Sequence, residues 1–129
     1  MESLSILLVE DETLIQIMVE EALTEAGFGV STAARAKDAI RMVENPNASF
    51  RALVTDIELR DKPSTGWDVA RRARELNPEL PVVYLTGGET DEWVSHGVRN
   101  SILVSKPFAS DQVVEAVLQL LNQRNTPGA

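Results

Sequence analysis

The chain lacks several of the residues and motifs that mark common classes of protein. It contains no cysteine among its 129 residues, which excludes a disulfide framework and a thiolate metal site. Its single histidine, His96, has no serine, cysteine or second histidine at a useful spacing, so we expect it at the surface. The sequence has no dinucleotide-binding glycine fingerprint, no Walker loop, no zinc pattern and no catalytic triad order. The candidate chemistry must therefore come from other side chains.

Long hydrophobic runs are also absent. The apolar runs are only a few residues long, far short of the roughly 18–20 residues that span a bilayer. The N-terminus has no basic region of the kind that begins a signal peptide. We therefore expect a cytoplasmic protein without a membrane partner.

Basic charge is scarce. The chain has 20 acidic and 12 basic residues, a formal net charge of −8, whereas nucleic-acid binding depends on neutralising phosphates with Lys and Arg. We therefore expect no direct nucleic-acid partner. Arg71, Arg72 and Arg74 form a local basic group, which we interpret as a solvated helix face. The length fits a single domain over residues 1–129, with a core of about 4–122 and a tail over 123–129.

Short apolar runs alternate with amphipathic segments along the chain. Runs rich in Val, Ile and Leu that are separated by helices are typical of buried parallel strands, and right-handed crossovers then place helices on both faces of the sheet. The predicted fold is α/β, a doubly wound (βα)5 flavodoxin-like parallel sheet of strand order 2-1-3-4-5 in a three-layer sandwich. The predicted strands are 6–9, 28–32, 51–55, 81–85 and 102–105, and the predicted helices are 15–26, 36–44, 66–76, 89–97 and one capped by Ser110.

Chemically active side chains follow the ends of four predicted strands. Glu10 and Asp11 follow the first strand, and Asp56, Thr86 and Lys106 follow the third, fourth and fifth. In an open parallel sheet, ligands bind beyond the carboxyl ends of the strands, where the strand order reverses. Three carboxylates at this edge repel one another unless a cation compensates, and Mg²⁺ prefers such oxygen ligands. The set is therefore suited to Mg²⁺ and a phosphoryl group.

Asp56 is the candidate nucleophile of this site, because carboxylates can accept phosphoryl groups as aspartyl phosphates. Lys106 supplies a compact cation for the phosphoryl oxygens. Thr86 offers a hydroxyl donor, and Gly87-Gly88 exposes backbone N–H groups to an anion. The acidic pair after the first strand could alternatively serve a helix N-terminus, where acids favour the positive end of the helix dipole. The third carboxylate at the neighbouring strand end favours the metal site.

Four motifs at these strand ends match a known family. They are Leu8-Val9-Glu10-Asp11-Glu12, Thr55-Asp56, Leu85-Thr86-Gly87 and Lys106-Pro107-Phe108. Taken together, over roughly residues 4–122, the chain resembles the receiver domain of bacterial two-component response regulators. The resemblance implies a phosphoacceptor that takes its phosphoryl group from a histidine kinase or a histidine phosphotransfer protein and then switches the binding of a downstream protein. Such a domain is not an enzyme in the usual sense, since it catalyses only its own phosphorylation and dephosphorylation.

The resemblance also assigns roles to individual residues. It implies that Asp56 is the phosphoacceptor and that Asp11 and Asp56 bind Mg²⁺ directly. Glu10 would hold the ion through water, and the backbone carbonyl of Glu58 would complete the metal ligands. Thr86 and Lys106 would contact the phosphoryl group.

Two departures from the family pattern concern how the signal is relayed. The loop after the phosphoacceptor, Glu58–Thr65, is longer than usual and begins with a glutamate two residues after the aspartate. The family often has Tyr or Phe three residues before the lysine, where this chain has Leu103. Because leucine is too short to follow the motion of the threonine, we hypothesise that switching is carried by residues 86–88 and the helix predicted over 89–97.

Two alternative functions stay open at this point. One is a Mg²⁺-dependent phosphotransfer enzyme of toprim-like fold, such as a nuclease or primase, which Asp56-Ile57-Glu58 loosely resembles. Such an enzyme would need a basic surface, which the net charge of −8 disfavours. The other is a degenerate receiver that acts only as a binding module. Met1 and the absence of a leading linker favour a free-standing, single-domain regulator or an N-terminal domain.

Overall fold

The computed structural model describes residues 5–60, 63–88, 93 and 96–125. The strands are β1 (Ser5–Val9), β2 (Gly29–Ala33), β3 (Ala52–Asp56), β4 (Val82–Thr86) and β5 (Ser101–Ser105). The helices of the described residues are α1 (Thr13–Glu25), α2 (Ala36–Glu44), α3 (Gly66–Leu76) and α4 (Ser110–Asn125). All strands pair in parallel in the order β2-β1-β3-β4-β5, which confirms the predicted fold and strand order.

The sheet separates two hydrophobic cores, because successive side chains of a strand point to opposite faces. In β1, Ile6 and Leu8 belong to the core that contains residues of α1 and α4, whereas Leu7 and Val9 belong to the core that contains residues of α2 and α3. Burial on both faces explains why the strands are continuous apolar runs rather than alternating ones.

The end of α1 explains why β2 begins one residue later than predicted. Gly27 adopts a φ of 100°, and its N–H donates to the carbonyl of Thr24 while the N–H of Phe28 donates to the carbonyl of Leu23. These two hydrogen bonds form a Schellman motif, in which glycine takes the left-handed position. Phe28 and Leu23 both lie in the first core, so Phe28 completes the helix end instead of starting the strand.

The start of α4 differs from the prediction. Ser110 is the first helical residue rather than its cap. The preceding residue is Ala109, whose N–H donates to Oε1 of Gln112 at 2.8 Å. The side chain of the third helical residue, Gln112, therefore accepts the N–H of the residue before the helix, as in a capping box. Ser110 does not cap the helix. The helix continues to Asn125, three residues beyond the predicted core.

The start of α3 brings this helix against the end of β3. The N–H of Gly66 donates to the carbonyl of Ile57 at 2.9 Å, and a β-carbon at Gly66 would collide with the carbonyl oxygen of Asp56. Thr65 and Asp68 form a reciprocal capping box at the same turn. Glycine is therefore required where the helix follows the long loop, because any side chain would push α3 away from the strand end.

The predicted solvated arginine face of α3 is only partly correct. Arg71 is exposed, and Arg72 pairs with Glu44 at 2.8 Å and with Glu75 at 3.1 Å. Arg74 is half-buried instead, since its guanidinium donates to two backbone carbonyls. His96 is exposed, as predicted.

Two predictions fall largely outside the described residues. Of the helix predicted over 89–97, only residues 93, 96 and 97 are described, and residues 126–129 of the predicted tail are not. None of the described helices is long and apolar enough to cross a membrane.

Candidate functional site

The hydrogen-bond ladders of the sheet continue past the strands and position the residues that follow them. The N–H of Glu10 donates to the carbonyl of Ala33 at 3.0 Å, and the N–H of Lys106 donates to the carbonyl of Thr86 at 2.6 Å. Asp56 is itself the last residue of β3, in register with Leu85. The ends of four strands are thereby fixed at one edge of the sheet.

The predicted acidic cluster assembles at this edge. Glu10, Asp11 and Asp56 each contribute one carboxylate oxygen, and these oxygens all lie within 4.8 Å of one another. Glu10 is fully buried and Asp56 is 2% exposed. Burial strengthens the repulsion between the carboxylates, because the surrounding dielectric is low. The cluster therefore requires positive charge nearby.

Lys106 supplies part of that charge. Its Nζ lies 3.2 Å from Oε1 of Glu10 and 3.2 Å from Oδ2 of Asp56, and 3.7 Å from Oε1 of Glu12. Burial lowers the pKa of the Lys106 ammonium, but the neighbouring carboxylates Asp56 and Glu10 outweigh that effect and raise it overall. We refer to Glu10, Asp11, Asp56 and Lys106 together as the acidic site.

One ammonium does not compensate the carboxylates fully. Burial and the charge of Glu10 raise the pKa of Asp56 to about 8, although Lys106 acts in the opposite direction. Among the described residues, Oδ1 of Asp56 has no hydrogen-bond partner, and Oε1 of Glu10 has none beyond its ion pair with Lys106. Buried oxygens without donors are costly unless a cation or another donor satisfies them. The arrangement therefore fits a divalent cation bound by oxygen ligands.

Asp11 is held by a residue that the sequence analysis did not identify. Its Oδ2 accepts a hydrogen bond from the backbone N–H of Arg60 at 2.9 Å, and Nε of the Arg60 guanidinium lies 3.6 Å away. The Arg60 side chain is 79% exposed, so the ion pair is weak and the backbone bond is the firmer restraint. The first residues of the long loop thus orient one predicted metal ligand.

Thr86 also has a partner that was not predicted. Its hydroxyl donates to Oε1 of Glu58 at 2.8 Å and accepts the N–H of Gly88 at 3.0 Å. The sequence analysis assigned the backbone carbonyl of Glu58 to the site as a metal ligand, and that assignment stays a prediction. The unusual glutamate two residues after Asp56 was the signal that could have indicated a side-chain contact.

An aromatic group lies next to Leu103, which occupies the position where the family often has Tyr or Phe. Tyr84 is fully buried in β4, in register with Leu103. Its hydroxyl accepts the N–H of Val98 at 3.1 Å, its ring centroid lies 4.8 Å from that of Trp67, and burial raises its pKa. Tyr84 therefore connects the strand that carries Thr86 to the segment before β5. Relay through residues 86–97 stays a prediction, since most of 89–97 lies outside the described residues.

The chain matches known proteins over nearly its whole length. The family model of the response regulator receiver domain matches residues 6–118. CpdR, a response regulator receiver protein of Brucella abortus, is 31% identical over 119 residues, which cover 90% of this chain and 95% of CpdR. TcrX, a probable transcriptional regulatory protein of Mycobacterium tuberculosis, is 31% identical over 92% of this chain, which spans only 50% of TcrX. The crystal structure of a response regulator receiver protein from Sinorhizobium medicae WSM419 is 44% identical with a TM-score of 0.91, covering 95% of this chain and 98% of that one.

These matches agree with the geometry of the strand ends. Receiver domains bind Mg²⁺ at an acidic pocket, and the group formed by Glu10, Asp11 and Asp56 has the composition of such a pocket. The family match also decides against the nuclease-like or primase-like alternative. The chain belongs to the response regulator receiver family, the phosphoacceptor modules of two-component systems.

Proposed function

We propose that Asp56 accepts a phosphoryl group from a histidine kinase or a histidine phosphotransfer protein, and that phosphorylation switches the binding of a downstream protein. The observation that carries this proposal is the state of the Asp56 carboxylate. It lies at the carboxyl edge of the sheet with Oδ2 3.2 Å from Lys106 and Oδ1 without a hydrogen-bond partner among the described residues. One oxygen is thus neutralised and the other is available for attack.

The transfer follows from this arrangement. The bond between an Asp56 oxygen and phosphorus forms while the bond between phosphorus and the donor histidine nitrogen breaks, and the electron pair returns to the imidazole, which then takes up a proton. Glu10, Asp11 and Asp56, with the carbonyl of Glu58, would hold Mg²⁺. When bound, this ion would neutralise charge on the carboxylates and on the phosphoryl oxygens. Lys106 would stay beside Asp56 and contact a phosphoryl oxygen.

Thr86 must change partners to take the role that the family resemblance gives it. Its hydroxyl now donates to Glu58, and a hydroxyl has only one hydrogen to donate. Contact with a phosphoryl oxygen would therefore release Glu58 from Thr86. The N–H of Gly88 donates a hydrogen bond to the same hydroxyl, so this exchange of partners would also alter that hydrogen bond. We propose this release as the first step of the switch.

The experiment that tests the phosphoacceptor is intact-mass spectrometry after incubation with acetyl phosphate and Mg²⁺. We expect the wild type to gain the mass of one phosphoryl group, and Asp56→Asn to gain none. The exposed acid Asp111 on α4 offers a matched control, since Asp111→Asn should be phosphorylated like the wild type. A phosphoryl group that persists in Asp56→Asn would refute the assignment.

An exposed apolar face of α1 supports docking of a protein phosphodonor. Leu14, Ile17 and Met18 are 83%, 45% and 39% exposed, and their spacing places them on one face of the helix. The helix begins directly after the acidic residues that follow β1, so this face borders the phosphoacceptor edge. Exposed apolar groups next to a polar site are typical of protein interfaces. We propose that the donor protein covers this face while its phosphohistidine reaches Asp56.

The docking proposal separates a protein donor from a small one. We expect Leu14→Ser to slow phosphotransfer from a histidine phosphotransfer protein while leaving phosphorylation by acetyl phosphate unchanged. Leu76→Ser, at the end of α3, changes a leucine that is 49% exposed and should affect neither reaction. Equal rates of transfer from the protein donor to wild type and Leu14→Ser would exclude this docking face.

We further propose that the chain works as a single receiver domain in the cytoplasm, with no catalysis beyond its own phosphorylation and dephosphorylation. The match to CpdR over 95% of that protein supports the single-domain form. The downstream partner would be a protein rather than nucleic acid, which the net charge of −8 supports.

A further inference from the structure

A second charged site lies between α3 and the segment that leads into β5. It is a cleft of about 540 Å³ whose lining includes the arginines Arg71, Arg74 and Arg99 together with His96, Pro78 and Val98. We call it the arginine cleft. It opens beside the amino ends of β4 and β5, whereas the acidic site lies at their carboxyl ends. Strands of five residues separate the two sites by roughly 16 Å.

The Arg74 side chain is held in a defined position in this cleft by hydrogen bonds to the backbone. Its Nε donates to the carbonyl of Leu80 at 2.6 Å, and one terminal nitrogen donates to the carbonyl of Asn100 at 3.3 Å. Both acceptors are uncharged, and no ion pair joins Arg74 to a carboxylate within the described parts of the chain. The guanidinium is thus held in place with donors left over, because it carries five N–H groups.

Among the described residues, the charge of the cleft is poorly compensated. Burial and the neighbouring charge of Arg99 lower the pKa of Arg74. Arg71 pairs with Asp68 at 3.2 Å, but both side chains are well exposed, at 60% and 40%, and exposed pairs contribute little. Arg99 has no ion pair with any described residue. A protein of net charge −8 therefore gathers three arginines around one concavity, and the described residues that line it include no carboxylate.

The volume of the cleft and the residues that line it indicate which class of ligand it could bind. Its volume falls within the range of about 300–1,000 Å³ that is usual for small-molecule sites. Guanidinium groups present donors that match phosphate oxygens bidentately. Pro78 and Val98 add apolar wall next to these donors, which suits an organic group attached to the phosphate. A nucleic acid is disfavoured because the overall negative charge repels a polyanion.

We propose that the arginine cleft binds a small phosphate-bearing molecule of about the size of a nucleotide. This site is separate from the proposed phosphoacceptor and does not depend on it. The bound molecule would contact the segment whose Val98 N–H is bonded to Tyr84. Binding would accordingly be sensed close to the strand that carries Thr86.

The test is a titration of the full chain with inorganic phosphate, pyrophosphate and a nucleoside monophosphate, at constant ionic strength in EDTA. Chloride at equal ionic strength is the salt control, and the absence of Mg²⁺ keeps the anions from the acidic site. Two readouts apply: the amide resonances of residues 97–99, and the fluorescence of the two tryptophans, of which Trp67 has its ring 5.9 Å from that of His96. We expect saturable changes with at least one phosphate compound and none with chloride.

Variants locate the binding. Arg99→Ala and Arg71→Ala should each weaken binding by about tenfold, the loss expected for a charge-assisted contact. These two are chosen because Arg74 also holds two backbone carbonyls, so its removal could disturb the fold. Arg41→Ala, on the exposed face of α2, is the matched control and should bind like the wild type. Tighter binding of the nucleotide than of phosphate would support the proposed size of the ligand, and equal binding would contradict it. Responses that do not saturate, that chloride reproduces, or that Arg99→Ala and Arg71→Ala leave unchanged would overturn the proposal.

Discussion

The acidic site and the arginine cleft have opposite charge imbalances and differ in how they are built. At the carboxyl edge, three carboxylates face one lysine, and every one of these side chains follows or ends a strand. In the cleft, three arginines come from a helix and from the segment before β5. The acidic site is fixed by the sheet and the cleft by side-chain bonds to carbonyls. We propose a ligand of opposite charge for each, a cation for the acidic site and an anion for the arginine cleft.

Among the changes that test this comparison, removal of Lys106 should have the largest effect on stability. Lys106→Ala leaves Glu10 and Asp56 buried without their cation, and removal of one partner of a buried ion pair costs about 3 kcal/mol or more. We expect the free energy of unfolding in EDTA, measured with urea, to fall by about that amount. Arg41→Ala should change it by less than about 0.5 kcal/mol, as is usual for surface substitutions. A similar stability of Lys106→Ala and wild type would contradict the charge balance described for this site.

Binding of Mg²⁺ should also change the stability of the fold. If only the folded chain assembles the carboxylates, Mg²⁺ at about a hundred times its dissociation constant stabilises the fold by about 2.7 kcal/mol. Asp11→Ala should abolish this gain, whereas Asp111→Asn, on α4, should keep it. Thermal unfolding with and without Mg²⁺ measures the effect. A melting temperature of the wild type that ignores Mg²⁺ would show that the cluster is not a metal site.

The pH dependence of stability is the most gradual of these effects, since it is spread over several pH units. In the metal-free protein the pKa of Asp56 is raised to about 8, so the folded state keeps a proton that the unfolded chain releases above about pH 4. Asp56 therefore contributes fully to the free energy of unfolding at low pH. This contribution is lost as the pH rises towards 8, by at most about 1.4 kcal/mol per pH unit. Urea unfolding in EDTA should show this slope in the wild type and a flatter one in Asp56→Asn. Equal slopes would exclude a raised pKa.

The acidic site was predictable because each of its residues lies at or just after the end of a strand that the sequence pattern reveals. A short apolar run ends, a polar residue follows, and the parallel sheet brings such residues to one edge. The residues Glu10, Asp11, Asp56 and Lys106 were reached in this way, whereas the strand order followed from the doubly wound fold class. The apolar pattern also gave the bounds of α2 and α3.

What the sequence did not reveal are contacts that depend on side-chain conformation. The bond from Thr86 to Glu58 and the bond from Arg60 to Asp11 join residues 28 and 49 positions apart. Arg74 was mistaken for a solvated residue because the carbonyls that hold it belong to other segments. Periodicity reports which face a residue lies on, but it does not report which distant partner a long side chain reaches.

The most direct test of the phosphoacceptor is to locate the phosphoryl group chemically. Borohydride reduces an aspartyl phosphate to homoserine, which marks the modified residue permanently in a peptide map. After incubation with acetyl phosphate and Mg²⁺, we predict homoserine at position 56 and unmodified residues at Glu10, Asp11 and Glu58. Reduction at any of those three, or no reduction at position 56, would contradict the proposed role of Asp56.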